Sequence, residues 1–109
     1  MGEGITAVFM ETHNWGKSAK FLQRLGFALD FETDHNSGQL SPPAGPPVFV
    51  AEVPGDQEPK VSLVVAVPDE AGVDPELDVV TPFEDTHYGT REMTVRDPDG
   101  RAWVLRAAS

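Results

Sequence analysis

The residues able to do chemistry are few and lie far apart in the chain. Glu11 and His13 stand two apart, so they share one face if a strand runs that far. His87 follows Asp85 in a later loop. Two imidazoles and a carboxylate would hold zinc if they converged; the plainer reading is of solvated residues at strand ends. Arg91 and Glu92 are adjacent, and adjacent strand residues point to opposite faces, so without a bulge they cannot act together on one small group. They read equally well as an edge-strand charge pair. Ser18, Ser37, Ser41, Ser62 and Ser109 occupy no nucleophile-elbow context, and no glycine-rich phosphate loop is present. The chain has no cysteine, which excludes disulfides, thiolate catalysis and thiolate metal sites. No catalytic residue is assigned.

Composition narrows the partners. A chain of 109 residues makes one small domain, and its 18 acidic against 8 basic residues give a formal charge of −10. Such a surface repels phosphate backbones, so nucleic acid is not expected as a partner, whereas a cationic small molecule is attracted. The opening MGEGITAVFMETHNW has neither a basic nor an apolar leader region, and no apolar run reaches membrane-span length. The expectation is a soluble, cytoplasmic protein.

The elements that must position these residues follow from periodicity. Ile5–Glu11 reads as a strand. Asn14 is a candidate N-cap for a helix from Trp15 to Leu25, which Gly26 stops. In the strand that follows, Phe27, Leu29 and Phe31 alternate with Ala28 and Asp30. Residues 35–47 form a loop with a short edge strand near Gln39-Leu40, and Val48–Val53 is an apolar strand. After the linker 54–59 the order restarts with strands at Val61–Val67, Leu77–Phe83, Arg91–Arg96 and Arg101–Arg106. Where a second helix belongs, residues 69–76 carry a glycine and a proline and are too few for three turns. A loop or single turn is expected there. It leaves the outer apolar face of Leu63, Val65, Val67, Trp103 and Leu105 with little cover. Phe21, Leu25, Phe27 and Trp103 are assigned to the core.

The string DTHYGTREMTVRDPDGRAWVLR closes the chain as a hairpin. Pro98 pre-sets the first turn position, Asp99 can bond its own backbone, and Gly100 takes the left-handed conformation. This string, with SAKFLQRLGF in the first half, resembles the vicinal oxygen chelate superfamily of glyoxalases, dioxygenases and bleomycin-resistance proteins. Gly89-x-Arg91-Glu92 running into Arg96-Asp97-Pro98 looks most like the bleomycin-resistance branch. The resemblance implies an α+β fold of two βαβββ modules, about 1–54 and about 60–109, forming a cup-shaped mixed sheet with the second helix truncated.

It also implies where a metal would sit. The superfamily's metal enzymes carry His or Gln early in a module's first strand and Glu in its last. The corresponding positions here are Ala7 (or Thr6, if the register slips by one), Ser62 and Val104, so no metal or other cofactor is expected. What remains is the cup, which alternation lines with Ala7, Phe9, Glu11, Ser62, Val64, Ala66, Ala102, Val104 and Arg106. Phe49, Phe83, His87 and Tyr88 are expected at its rim, where aromatic planes stack on ligand rings. The leading expectation is a non-catalytic binder that sequesters a cationic aromatic antibiotic. The alternative is a glyoxalase or dioxygenase-type enzyme with a displaced metal site; a third reading is a regulatory module without a small ligand. Superfamily members commonly pair, so a homodimer that covers the outer apolar face or completes the cup is expected.

Overall fold

The computed structural model describes residues 2–87 and 89–108. The chain is α+β, with eight strands and one α-helix among the described residues: β1 (Ile5–Thr12), α1 (Trp15–Arg24), β2 (Ala28–Glu32), β3 (Ser37–Ser41), β4 (Val48–Glu52), β5 (Val61–Val67), β6 (Asp78–Asp85), β7 (Arg91–Arg96) and β8 (Ala102–Ala107). They fall into two compact units, Ala7–Val61 and Met1–Thr6 with Ser62–Ser109. Among the described residues no helix is long and apolar enough to cross a membrane.

In the first unit the strands run in the order β2-β3-β4-β1. β2, β3 and β4 are antiparallel neighbours, while β4 returns parallel to β1, pairing Phe9 with Phe49. A parallel return needs a crossover, and α1 begins it. Asn14 has extended backbone and its side chain accepts from the Lys17 N–H at 3.0 Å, as an N-cap should. Past the C-cap Leu25, Gly26 has φ of 99°. The helix buries Trp15, Ala19 and Leu22 against Leu40, Val48 and Val50. Phe21 and Leu25, expected in the core, are instead 58% and 61% exposed. At 100° per residue the stripe through Trp15, Ala19 and Leu22 leaves both well to one side.

The second unit repeats the order as β5-β8-β7-β6, with β8 parallel to β5. Gly2–Thr6 runs with it: the Glu3 N–H donates to the Ala66 carbonyl and the Ala66 N–H to Gly4. No helix lies between β5 and β6, as the glycine and proline there dictate. The outer face carries Val67, Met93, Val95, Leu105 and Ala107, all buried, and Val73 and Leu77 from the crossover loop pack on them with Trp103. The loop therefore covers more of this face than its composition promises.

The β7–β8 hairpin turn is held from Asp97, not from Asp99. Oδ1 of Asp97 accepts from the Asp99 and Arg101 N–H groups, each at 2.9 Å, and Oδ2 from the Trp103 indole N–H at 2.9 Å. The Trp103 bond first, then the backbone donors, hold the Asp97 carboxyl down to about 2. Gly100, at φ of 86°, completes the turn.

Candidate functional site

Sheet parity separates two faces in each unit. In the first, Val8 and Met10 pack toward α1, so Phe9 and Glu11 point the other way. The Phe9 and Phe49 rings lie in register and stack, with centroids 5.7 Å apart and planes 13° from parallel. One step across the sheet is Gln39, and beyond it Phe31, whose ring meets Phe49 at 6.3 Å and 48°. Three aromatic rings thus run across one face.

Alternation from Phe27 and Leu29 puts Phe31 on the helix side. The structure corrects this. Leu29 pairs with Leu40 and Phe31 with Gln39, so β2 spends two residues where β3 spends one. That bulge leaves Asp30 unpaired and turns Phe31 onto the face of Phe49. Asp30 arrives on the same face: its Oδ2 accepts from the Gln39 amide at 2.9 Å and from the Ser41 hydroxyl. The Ser41 bond foremost, then Gln39, lower its pKa below the ordinary carboxylate value. Asp30 is therefore an anion at neutral pH, with Oδ1 accepting no hydrogen bond among the described residues. The signal in the sequence was an aspartate inside an apolar strand, where its type is depleted.

Gly38 makes this strand pair possible. A Cβ there would lie 2.5 Å from the Phe31 carbonyl oxygen and 2.7 Å from the Trp15 ring. Only a glycine lets Trp15 and β2 close over β3.

Other expected site residues are placed as follows. The Glu11 carboxylate accepts the Lys60 N–H at 3.0 Å, and the His13 Nε2 lies 2.7 Å from the Gln57 carbonyl oxygen. In the second unit Val64 pairs with Val104 and Ala66 with Arg106, on the face opposite Val65 and Leu105; Ser62 shares their parity. Arg106 donates from Nε to Glu92 at 2.8 Å, and the Thr90 hydroxyl donates to the same oxygen at 2.9 Å. Arg91 turns away, as adjacency requires, and grips Glu70 through two hydrogen bonds of 2.9 Å. β7 lies between β8 and β6, so this is no edge-strand pair. A concavity of about 430 Å³ lies beside Arg106, lined also by Thr6, Ala66, Gly89 and Thr90.

Phe83, expected at the rim, packs instead against the Val67–Leu105 cluster. Glu84 pairs with Glu92, so its neighbour Phe83 must take the outer face. His87 is exposed, and Tyr88 lies outside the described residues. Among the described residues no three His, Asp or Glu side chains gather to hold an ion. At the superfamily's ligand positions Ala7 and Val104 bring no donor atom and Ser62 a single hydroxyl. This set does not fit a divalent cation.

No protein-family model and no curated protein sequence matches the chain. Solved structures do. A glyoxalase/bleomycin resistance protein/dioxygenase superfamily member from Vibrio splendidus superposes with a TM-score of 0.74 at 18% identity, covering 93% of this chain and 96% of that one. A protein described as an NAD-dependent benzaldehyde dehydrogenase from Legionella pneumophila gives 0.69 at 14% identity, covering 94% and 98%. The chain thus has the fold of the glyoxalase/bleomycin-resistance superfamily, as its C-terminal string suggests.

Proposed function

We propose that this protein is a non-catalytic binder of a flat, cationic aromatic small molecule, acting by sequestration. The observation that carries the reading is the ring row Phe9–Phe49–Phe31 with the ionised Asp30 at its end. Rings offer π-faces to a planar ligand, and a carboxylate with a vacant oxygen suits a cationic substituent. The charge of −10 adds long-range attraction. The superfamily's metal positions offer no more than the single hydroxyl of Ser62, which favours capture over turnover.

Calorimetric titration with basic aromatic natural products, bleomycin among them, tests this. Saturable binding with the ligand recovered unchanged is the expected result. Each ring contact is worth about 0.5–1.5 kcal/mol, so Phe49→Ala should weaken binding roughly 2- to 10-fold. A ligand recovered chemically altered, with activity dependent on added divalent metal, would favour the enzymatic alternative.

A further inference from the structure

We propose that the solvent face of helix α1 docks an acidic, apolar segment of a different protein. The helix carries Lys17, Lys20 and Arg24, three of the chain's 8 basic residues, and none of its 18 acidic ones. At 100° per residue Lys17, Lys20, Phe21 and Arg24 fall within about 100° of arc, turned away from the buried stripe of Trp15, Ala19 and Leu22. Leu25 extends that arc to one side. A surface helix ordinarily turns charged and polar residues to water. Here two large apolar side chains one turn apart, Phe21 and Leu25, are more than half exposed among three cations.

Those cations have no partner within the chain. Every arginine outside the helix is matched: Arg91 with Glu70, Arg96 with Asp78, Arg101 with Asp97 and Arg106 with Glu92. Lys17, Lys20 and Arg24 form no ion pair among the described residues. Glu32, which pairs with Gly38 on the helix side of the sheet, leaves them unmatched too. Lys17 stands in the first turn, where a cation opposes the helix dipole and no acidic residue compensates. Its charge does nothing for the helix that bears it; a carboxylate brought by a partner would give it a role.

The face therefore defines its occupant by complementarity: carboxylates ringing an apolar patch that receives Phe21 and Leu25. A short acidic segment can lie along the helix alone, which is about 15 Å long. An anionic membrane fits less well, because an extended sheet of negative charge also meets the rest of a chain whose formal charge is −10. Within the first unit the helix covers the sheet face opposite Phe9, so docking leaves the ring row open. The inference does not rest on the ligand reading.

Fluorescence anisotropy of a fluorescein-labelled synthetic amphipathic peptide of Leu and Glu, titrated with the native chain, tests this. The expected result is saturable binding that weakens with salt, while the corresponding Leu and Lys peptide and phosphatidylserine vesicles do not bind. Lys17→Glu/Lys20→Glu/Arg24→Glu, and separately Phe21→Ser, should each weaken binding by about tenfold or more, with circular dichroism and melting native. Lys17→Arg/Lys20→Arg, which keeps the charge, and Gln23→Ala, which lies off the arc, should bind as the native chain does. No binding at high micromolar concentration overturns the proposal, and so does binding indifferent to the helix variants. Vesicle binding lost in the triple variant would make the face a membrane contact instead. Self-association of the native chain that Phe21→Ser abolishes would make a second copy the occupant. Either result overturns the proposal.

Discussion

Replacing Gly38 by alanine should damage this protein more than its one added methyl suggests. The new Cβ would lie 2.5 Å from the Phe31 carbonyl oxygen, about 1 Å short of ordinary contact, and 2.7 Å from the Trp15 ring. Backbone and a buried indole press from two sides, so neither a rotamer change nor a flexible tip can absorb the clash. Either β2 lifts from β3 or Trp15 leaves its place over the strand. Overpacking of this kind costs about 1–3 kcal/mol. For a domain of this size each kcal/mol moves Tm by roughly 4–8 °C, which gives a fall of about 5–20 °C. Gly16→Ala is the matched control: the added Cβ meets nothing closer than the Asn14 Oδ1 at 3.7 Å, and an alanine in α1 should stabilise by about 0.5–1 kcal/mol. Urea unfolding followed by the fluorescence of the two tryptophans reads both. If Gly38→Ala were as stable as the native chain, the packing of Trp15 and β2 over Gly38 would be wrong, and the bulge that presents Asp30 and Phe31 would lose its support.

Further expectations concern charge. The folded-state pKa of Asp97 is depressed to about 2, so its stabilising effect is complete above the ordinary value of 3.8 and is lost as pH falls toward 2. Acid unfolding of Asp97→Asn should accordingly lack that limb of the pH profile; an unchanged profile would show that the turn does not depend on this carboxylate. Ligand affinity should weaken steadily between about 0.01 M and about 1 M salt, over which the Debye length falls from roughly 30 Å to roughly 3 Å. An affinity flat across that range would leave stacking and burial as the whole of the binding energy.

Much of the fold can be read from the chain because its signals are local. Asn14 and Gly26 mark the helix, alternation marks β5, β7 and β8, and Asp97 to Gly100 mark the turn. The absent second helix is legible from a glycine and a proline within eight residues. Legibility ended where a single residue changes parity. The Asp30 bulge reverses the facing of Phe31, and nothing in the alternation of Phe27, Leu29 and Phe31 warns of it. Phe83 was misplaced for the related reason that register shifts in β6 hide its facing. Phe21 and Leu25 looked like core because helical spacing alone does not say which of two adjacent stripes meets the sheet.

The face assignment of β2 tests the proposed function most directly. Leu29 and Phe31 are both apolar and both partly exposed, yet the bulge sends Leu29 to the helix side and Phe31 to the ring row. Titration of one cationic aromatic ligand into Leu29→Ala and Phe31→Ala should leave the first near native affinity and weaken the second roughly 2- to 10-fold, the worth of one ring contact. Equal affinities in the two variants, or a loss confined to Leu29→Ala, would contradict the ring row as the ligand face.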